Sequence, residues 1–134
     1  MCVTVAALLR GRQRERAMTP EEIVRAEMAA WSRNDVDAVM SHFAENATLH
    51  AGPYAPVLGH DAIRKTVDGY FSRGTCVDHE IVYIATVGDV VLMERIDHWI
   101  INEKAVAIPH MGICEVTDQK ITAWREYFTP SGDS

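Results

Sequence analysis

The spacing of apolar residues changes once along the chain, from the period of a helix to that of a strand. Thr19-Pro20-Glu21-Glu22 is typical of a helix start, because a hydroxyl caps free N–H groups, proline suits the first turn, and carboxylates stabilise the positive end of the helix dipole. One apolar face at helical spacing then predicts a helix to about Arg33: Ile23, Ala26, Ala30 and Trp31.

Two more helices are predicted before residue 75. Asn34-Asp35 interrupts the first pattern and can cap a short second helix with the stripe Val36, Val39, Met40 and Phe43. Residues 47–51 predict a short strand, and 52–56, with one glycine and two prolines, predict a loop. A third helix is expected from near His60 to Gly74, with one apolar side: Ile63, Val67, Tyr70 and Phe71.

From Cys76 onward apolar residues recur at every second position, as they do in a β-strand. Strands are predicted over 76–86, 90–101, 105–116 and 120–128, separated by short polar turns. Helices followed by adjacent antiparallel strands indicate an α+β fold, in which a curved sheet wraps round the helices. The concave side of such a sheet is the expected place for a site.

The phase of these strands places charged residues among apolar ones. Arg95 and Asp97 share a face with Met93 and Trp99. Glu126 lies between Trp124 and Phe128 on one face of the last strand, and His110 shares an apolar face with Ile108, Gly112 and Cys114.

If those faces are interior, one arginine and two carboxylates are buried together, and their formal charges add up to −1. Buried charge costs several kcal/mol per ion unless it is paired, so one carboxyl can hold a proton even at neutral pH. An ionised carboxylate beside a protonated acid suits acid–base catalysis. Two other interpretations are a buried ion triad that serves only the fold, and an inverted strand phase that leaves all three residues solvated.

Composition limits the class of partner. The 134 residues and 15.0 kDa fit one domain, and 19 acids against 13 bases give a formal charge of −6. Nucleic acid is not expected as a partner, since binding phosphates needs a basic surface. No apolar run reaches the roughly 20 residues that span a bilayer, so no membrane partner is expected.

The N-terminal segment and the cysteines bear on the domain boundary and on the cellular compartment. Residues 1–17 carry four arginines and one acid, and predict a disordered extension before a single domain over 18–130. Other interpretations are sequence upstream of a true start at Met18, or an arginine-rich targeting or tethering arm. Three widely separated cysteines indicate a reducing compartment, so we expect a cytoplasmic protein.

Several segments, in order from about Pro20 to Phe128, resemble the limonene-1,2-epoxide hydrolase family within the nuclear transport factor 2-like superfamily. The segments are Phe43-Ala44-Glu45-Asn46, Gly59-His60-Asp61-Ala62, Glu94-Arg95-Ile96-Asp97 and Lys120-Ile121-Thr122-Ala123-Trp124-Arg125-Glu126-Tyr127-Phe128. The resemblance implies a curved, mixed, mostly antiparallel sheet of six strands round three or four helices. It also implies a homodimer and a deep apolar pocket.

In that family an aspartate–arginine–aspartate triad adds water to an epoxide in one step, without metal, cofactor or covalent intermediate. The resemblance implies Asp97 as the acid, Arg95 as the bridge and Glu126 as the base. The substrate class would be a small apolar epoxide, cyclic or terpenoid-like. The residues expected to line the pocket are His110, Tyr70, Trp99, Trp124, Phe128, Leu49 and Met93.

The chain departs from the family at three positions. Glu126 stands where the family has aspartate, and Leu49 and Ala51 stand where it has the tyrosine and asparagine that hold the water. His110 and Tyr70 are the candidates to replace that pair, although each can equally be a packed core residue. Alternation points His50 and His98 away from this face.

No metal site is expected, because His42, His60 and His79 have no ligand spacing. Two alternatives to epoxide hydrolysis follow from the lost water-holding pair and from a purely structural triad. One is an isomerase, dehydratase or polyketide-type cyclase on the same scaffold, and the other is a noncatalytic small-molecule-binding domain.

Overall fold

A computed structural model describes residues 16–130. It contains the helices α1 (Pro20–Ser32), α2 (Val36–Ser41) and α3 (His60–Arg73). Its strands are β1 (Phe43–Ala51), β2 (Val57–Leu58), β3 (Gly74–Val87), β4 (Val90–Ile101), β5 (Lys104–Thr117) and β6 (Lys120–Tyr127). All but the last two residues of the predicted extension 1–17 lie outside the described residues.

The helix α1 begins where the sequence predicts. The Thr19 hydroxyl accepts a hydrogen bond from the Glu22 backbone N–H, and the Glu22 carboxylate accepts one from the Thr19 N–H. In residues 16–130, no helix combines the length and apolar character needed to cross a membrane.

The six strands form one mixed sheet in the order β2-β1-β6-β5-β4-β3. The β1–β6 pair is parallel, and the other four pairs are antiparallel. The α+β class with a mixed, mostly antiparallel sheet is therefore confirmed. Because β5 lies between β4 and β6, side chains from these three strands can meet on one face.

The element boundaries differ from prediction mainly around β1. This strand starts at Phe43, not at 47, because its first residue pairs with Ile121 of β6 in the parallel ladder. The Phe43 side chain remains buried and stacks on Trp124, with ring centroids 5.7 Å apart. The two-residue strand β2 was not predicted, and β6 ends at Tyr127, so that Phe128 follows the strand.

Trp31 of α1 lies in the core between helices and sheet, at the centre of a group of aromatic rings. Its ring centroid lies 5.2–6.3 Å from five other rings, those of Tyr70, Phe71, His79, Trp99 and Trp124. Aromatic contacts at these separations are favourable. Three of the residues predicted to line an apolar pocket, Tyr70, Trp99 and Trp124, thus pack round a tryptophan from the first helix.

Candidate active site

Neighbouring strands bring the predicted charged residues together. In the β4–β5 ladder Arg95 is opposite His110, and in the β5–β6 ladder Gly112 is opposite Glu126. Arg95, Asp97 and His110 are 1%, 5% and 7% exposed, and the Glu126 side chain is 12% exposed. The predicted strand phase is therefore confirmed, and the solvated alternative is wrong.

One guanidinium binds both carboxylates. Arg95 Nε donates to Asp97 Oδ1 at 2.5 Å and Nη2 donates to Asp97 Oδ2 at 2.9 Å. The same Nη2 donates to Glu126 Oε1, which also accepts from the Trp124 indole N–H at 2.8 Å. A Cβ at Gly112 would lie 3.0 Å from Arg95 Nη1, so glycine leaves room for the arginine at this point.

This arrangement determines the charge of Asp97. Burial acts to raise the pKa of Asp97, but hydrogen bonds from Arg95 and its positive charge outweigh burial and hold that pKa below its ordinary value. Burial also acts to lower the pKa of Arg95, yet the charge of Glu126 and the bonds to Asp97 raise it. Asp97 is therefore a carboxylate here, and the proton expected on one carboxyl is not on Asp97.

His110 lies between the two carboxylates. Its Nδ1 is 2.8 Å from the Ile108 carbonyl oxygen and 3.3 Å from Asp97 Oδ2. Its Nε2 is 3.8 Å from Glu126 Oε2. The Phe128 ring packs on the imidazole, with centroids 4.4 Å apart.

A second histidine, His79, also faces Asp97. It is directly opposite Asp97 in the β3–β4 ladder, and its Nε2 lies 3.7 Å from Asp97 Oδ2 without a hydrogen-bond partner. Burial lowers the pKa of His79 to about 4, so its imidazole is neutral at pH 7. Sequence reasoning missed this residue. Counted from the turn at residues 88–89, a regular hairpin would pair His79 with His98, and the register shift between Ile81 and Tyr83 moves it opposite Asp97. The sequence carried no signal of that shift.

The side of the site next to β1 is apolar. In the parallel ladder Leu49 is opposite Trp124 and Ala51 is opposite Glu126, and both are buried. Of the two positions at which the resemblance implies water-holding residues, Ala51 thus lies opposite Glu126 and Leu49 lies opposite its neighbour on the same face, Trp124, and neither has a polar side chain. Tyr70 of α3 packs against Trp31 at 6.1 Å, and burial together with the negative charge of Glu126 raises its pKa.

The other predicted lining residues are mostly part of the core. Met93, Trp124 and Leu49 are 0%, 1% and 5% exposed, and Trp99 is packed on Trp31. Phe128 differs, because it borders a surface groove of about 530 Å³ formed by residues 52–53 and 127–130. Phe128 thus separates this groove from His110.

Asp97, His110 and Glu126 also have the side-chain types that bind metals, and their ligand atoms lie within 4.8 Å of one another. Arg95 already binds both carboxylates, however, so a divalent cation would lie beside a fixed positive charge. Three further histidines have other contacts. His42 pairs with Glu27, His60 with the Met40 carbonyl, and His98 with Glu80.

The chain matches a known protein family over almost all of the residues that the structure describes. The family model described as the limonene-1,2-epoxide hydrolase catalytic domain matches residues 18–131. The chain belongs to this family. A limonene-1,2-epoxide-hydrolase-like (LEH-like) epoxide hydrolase from M. tuberculosis is similar, with 27% identity, a TM-score of 0.73, and coverage of 80% of each chain.

Other solved structures share the fold. A protein from Catenulispora acidiphila with a ketosteroid isomerase-like fold is 24% identical over 85% of this chain and 89% of that one, with a TM-score of 0.76. A protein from Shewanella denitrificans assigned as a SnoaL-like polyketide cyclase is 12% identical over 82% and 90%, with a TM-score of 0.75. The family thus lies among proteins of the nuclear transport factor 2-like fold, as the sequence predicts.

Proposed function

We propose that this protein adds water to a small apolar epoxide in one step, by acid–base catalysis. The observation that carries the proposal is the single Arg95 guanidinium bound to both Asp97 and Glu126 on the inner face of the sheet. This grouping corresponds to the triad of the family to which the chain belongs. The similar M. tuberculosis protein, an LEH-like epoxide hydrolase, supports the same reaction class.

The reaction needs a base near water and an acid near the ring oxygen. Glu126 is the base, because Oε1 is held by Arg95 and Trp124 while Oε2 remains available to a water. As the water oxygen bonds to a ring carbon, the bond from that carbon to the ring oxygen breaks and its electron pair moves to the oxygen. Glu126 takes one water proton, an acid protonates the ring oxygen, and the product is a diol.

An assay for diol formation on a panel of apolar cyclic and acyclic epoxides tests this function. Wild-type protein should form diol, and Glu126→Gln should lower kcat by at least about a hundredfold, because an amide cannot take the proton. Glu94→Gln is the matched control, since Glu94 is exposed on β4 and should leave kcat unchanged. Absence of diol from every epoxide with folded wild-type protein would sink the proposal.

A second candidate function is isomerisation or cyclisation of a carbonyl compound. The apolar side chains of Leu49 and Ala51 beside Glu126 favour it, because an enolisation needs a carboxylate base but no held water. Exchange of an α-proton of a cyclic ketone into deuterated water, lost in Glu126→Gln, would support this function over hydrolysis. A homodimer and a cytoplasmic location remain predictions.

A further inference from the structure

We propose that protonated His110, and not Asp97, donates the proton to the ring oxygen of the substrate. The inference rests on the proposed epoxide hydrolysis and concerns one role in that reaction. It follows from what surrounds Asp97, from the tautomer of His110, and from the charge of the buried group.

Asp97 is surrounded by hydrogen-bond donors. Its two oxygens accept from Arg95 Nε and Nη2, and Oδ2 also lies near a nitrogen of His110 and one of His79, at 3.3 and 3.7 Å. The residue is 5% exposed. A carboxyl placed to protonate a ligand would have to turn an O–H away from these donors. Asp97 instead has the surroundings of a permanent acceptor.

The tautomer of His110 is set by its own strand. The Ile108 carbonyl oxygen, 2.8 Å from Nδ1, can only accept a hydrogen bond, so Nδ1 carries a proton in either charge state. Nε2 is therefore the atom at which His110 gains or loses a proton. That atom points toward Glu126 Oε2, the free oxygen of the proposed base.

The charge of the group favours a proton on His110. Arg95, Asp97 and Glu126 sum to −1 in a buried site, and an imidazolium brings the four residues to zero. Imidazole holds a proton more strongly than a carboxylate does in water. The pair Asp97–Arg95 then keeps the charge balanced, and the pair His110–Glu126 supplies one acid and one base.

His110 and Glu126 together supply and recover the protons that the reaction needs. The proton on His110 Nε2 moves to the ring oxygen as the carbon–oxygen bond breaks, while Glu126 takes a proton from the attacking water. This leaves His110 neutral and Glu126 protonated. Return of that proton from Oε2 to Nε2, across 3.8 Å, directly or through a water, restores the starting state.

The variant His110→Gln tests the assignment on an epoxide that the wild type converts. We expect kcat to fall by about a hundredfold or more with little change in KM, since a general acid contributes at least that much. The matched control His98→Gln removes an imidazole bound to Glu80 on the outer face and should leave kcat and KM unchanged.

A measurement that does not depend on activity is the ¹⁵N NMR spectrum of the wild-type imidazoles. Nδ1 of His110 should carry a proton whether or not Nε2 does, because it faces the Ile108 carbonyl oxygen. The charged and titratable groups near His110, whose signals must be distinguished from its own, are Arg95, Asp97, Glu126 and His79.

The outcomes separate the two proposals. Diol formation by wild type with His110→Gln within about threefold of it would overturn this inference and leave epoxide hydrolysis standing. An unprotonated Nδ1 in neutral His110 would overturn it as well. No diol from wild-type protein on any epoxide would overturn the proposed function and the inference together.

Discussion

Two buried carboxylates of this protein have opposite proton affinities. Asp97 lies against the Arg95 guanidinium, and its pKa is below the ordinary value. Glu27 of α1 is fully buried with His42 as its partner, 2.9 Å away, and burial raises its pKa to about 7. Burial alone therefore favours the neutral acid, and a fixed positive charge with two hydrogen bonds reverses that preference.

The difference also separates a chemical role from a structural one. Glu27 Oε1 has no hydrogen-bond partner, so one half of this carboxyl is uncompensated in the core. Asp97, by contrast, faces a donor at each oxygen. A carboxylate held ionised is useful next to a reacting group, because it stabilises a neighbouring cation such as a protonated His110.

Of the three substitutions considered, the removal of Arg95 should change the free energy of unfolding most. Arg95→Met leaves two buried carboxylates without their partner, so we expect the free energy of unfolding to fall by about 3–5 kcal/mol. Urea unfolding at pH 7 measures this. Arg64→Met is the control, because Arg64 forms an exposed pair with Asp37 and should change stability by less than about 1 kcal/mol. A similarly small loss in Arg95→Met would mean that Asp97 does not depend on the arginine for its charge.

Replacing Glu27 should have the next largest effect. Because its pKa is raised from 4.5 to about 7 in the folded state, the stability it contributes is complete below pH 4.5 and is lost as pH rises through 7. The loss is on the order of 2–3 kcal/mol, and Glu27→Gln should abolish it. Thermal or urea unfolding from pH 5 to 8 measures the slope. Glu21→Gln, on the solvent side of α1, should keep the wild-type slope, and an unchanged slope in Glu27→Gln would refute the assignment.

The stability contributed by Asp97 should depend on pH in the opposite direction to that of Glu27, and the effect should be the smallest of the three. Since its pKa is lowered, its contribution is present above pH 3.8 and is lost as pH falls through the folded-state pKa. The free energy of unfolding of Asp97→Asn should therefore fall less steeply below pH 4 than that of wild type. Asp68→Asn, at an exposed carboxylate of α3, is the control. If the free energy of unfolding fell with the same slope below pH 4 in wild type and Asp97→Asn, the low pKa of Asp97 would be contradicted.

Part of this site was predictable because strand alternation is a local property. The spacing of Met93, Arg95, Asp97 and Trp99 placed two charges on one face with apolar residues, and the spacing of Trp124, Glu126 and Phe128 added the third. Glu27 was missed, although it follows Ile23 and precedes Trp31 at helical spacing. A single acidic residue within an apolar stripe gives no local signal that it is buried, because its partner His42 lies at the end of a different helix.

The start of β1 at Phe43 could not be predicted in the same way. Its partner is Ile121, and a parallel pairing between residues so far apart in the chain depends on the whole sheet. The same pairing places Ala51 opposite Glu126, which makes the side of the site beside the proposed base apolar.

By itself, the sequence determined the α+β class and which residues share a strand face with Arg95, Asp97 and Glu126, because caps and periodicity act over a few residues. Only the tertiary structure decided that the face with these three residues is interior, that His110 lies between the carboxylates, that His79 faces Asp97, and that Asp97 is held ionised. Proton affinity depends on every charge and donor within a few ångströms. Those neighbours come from strands and helices that the chain brings together only when it folds.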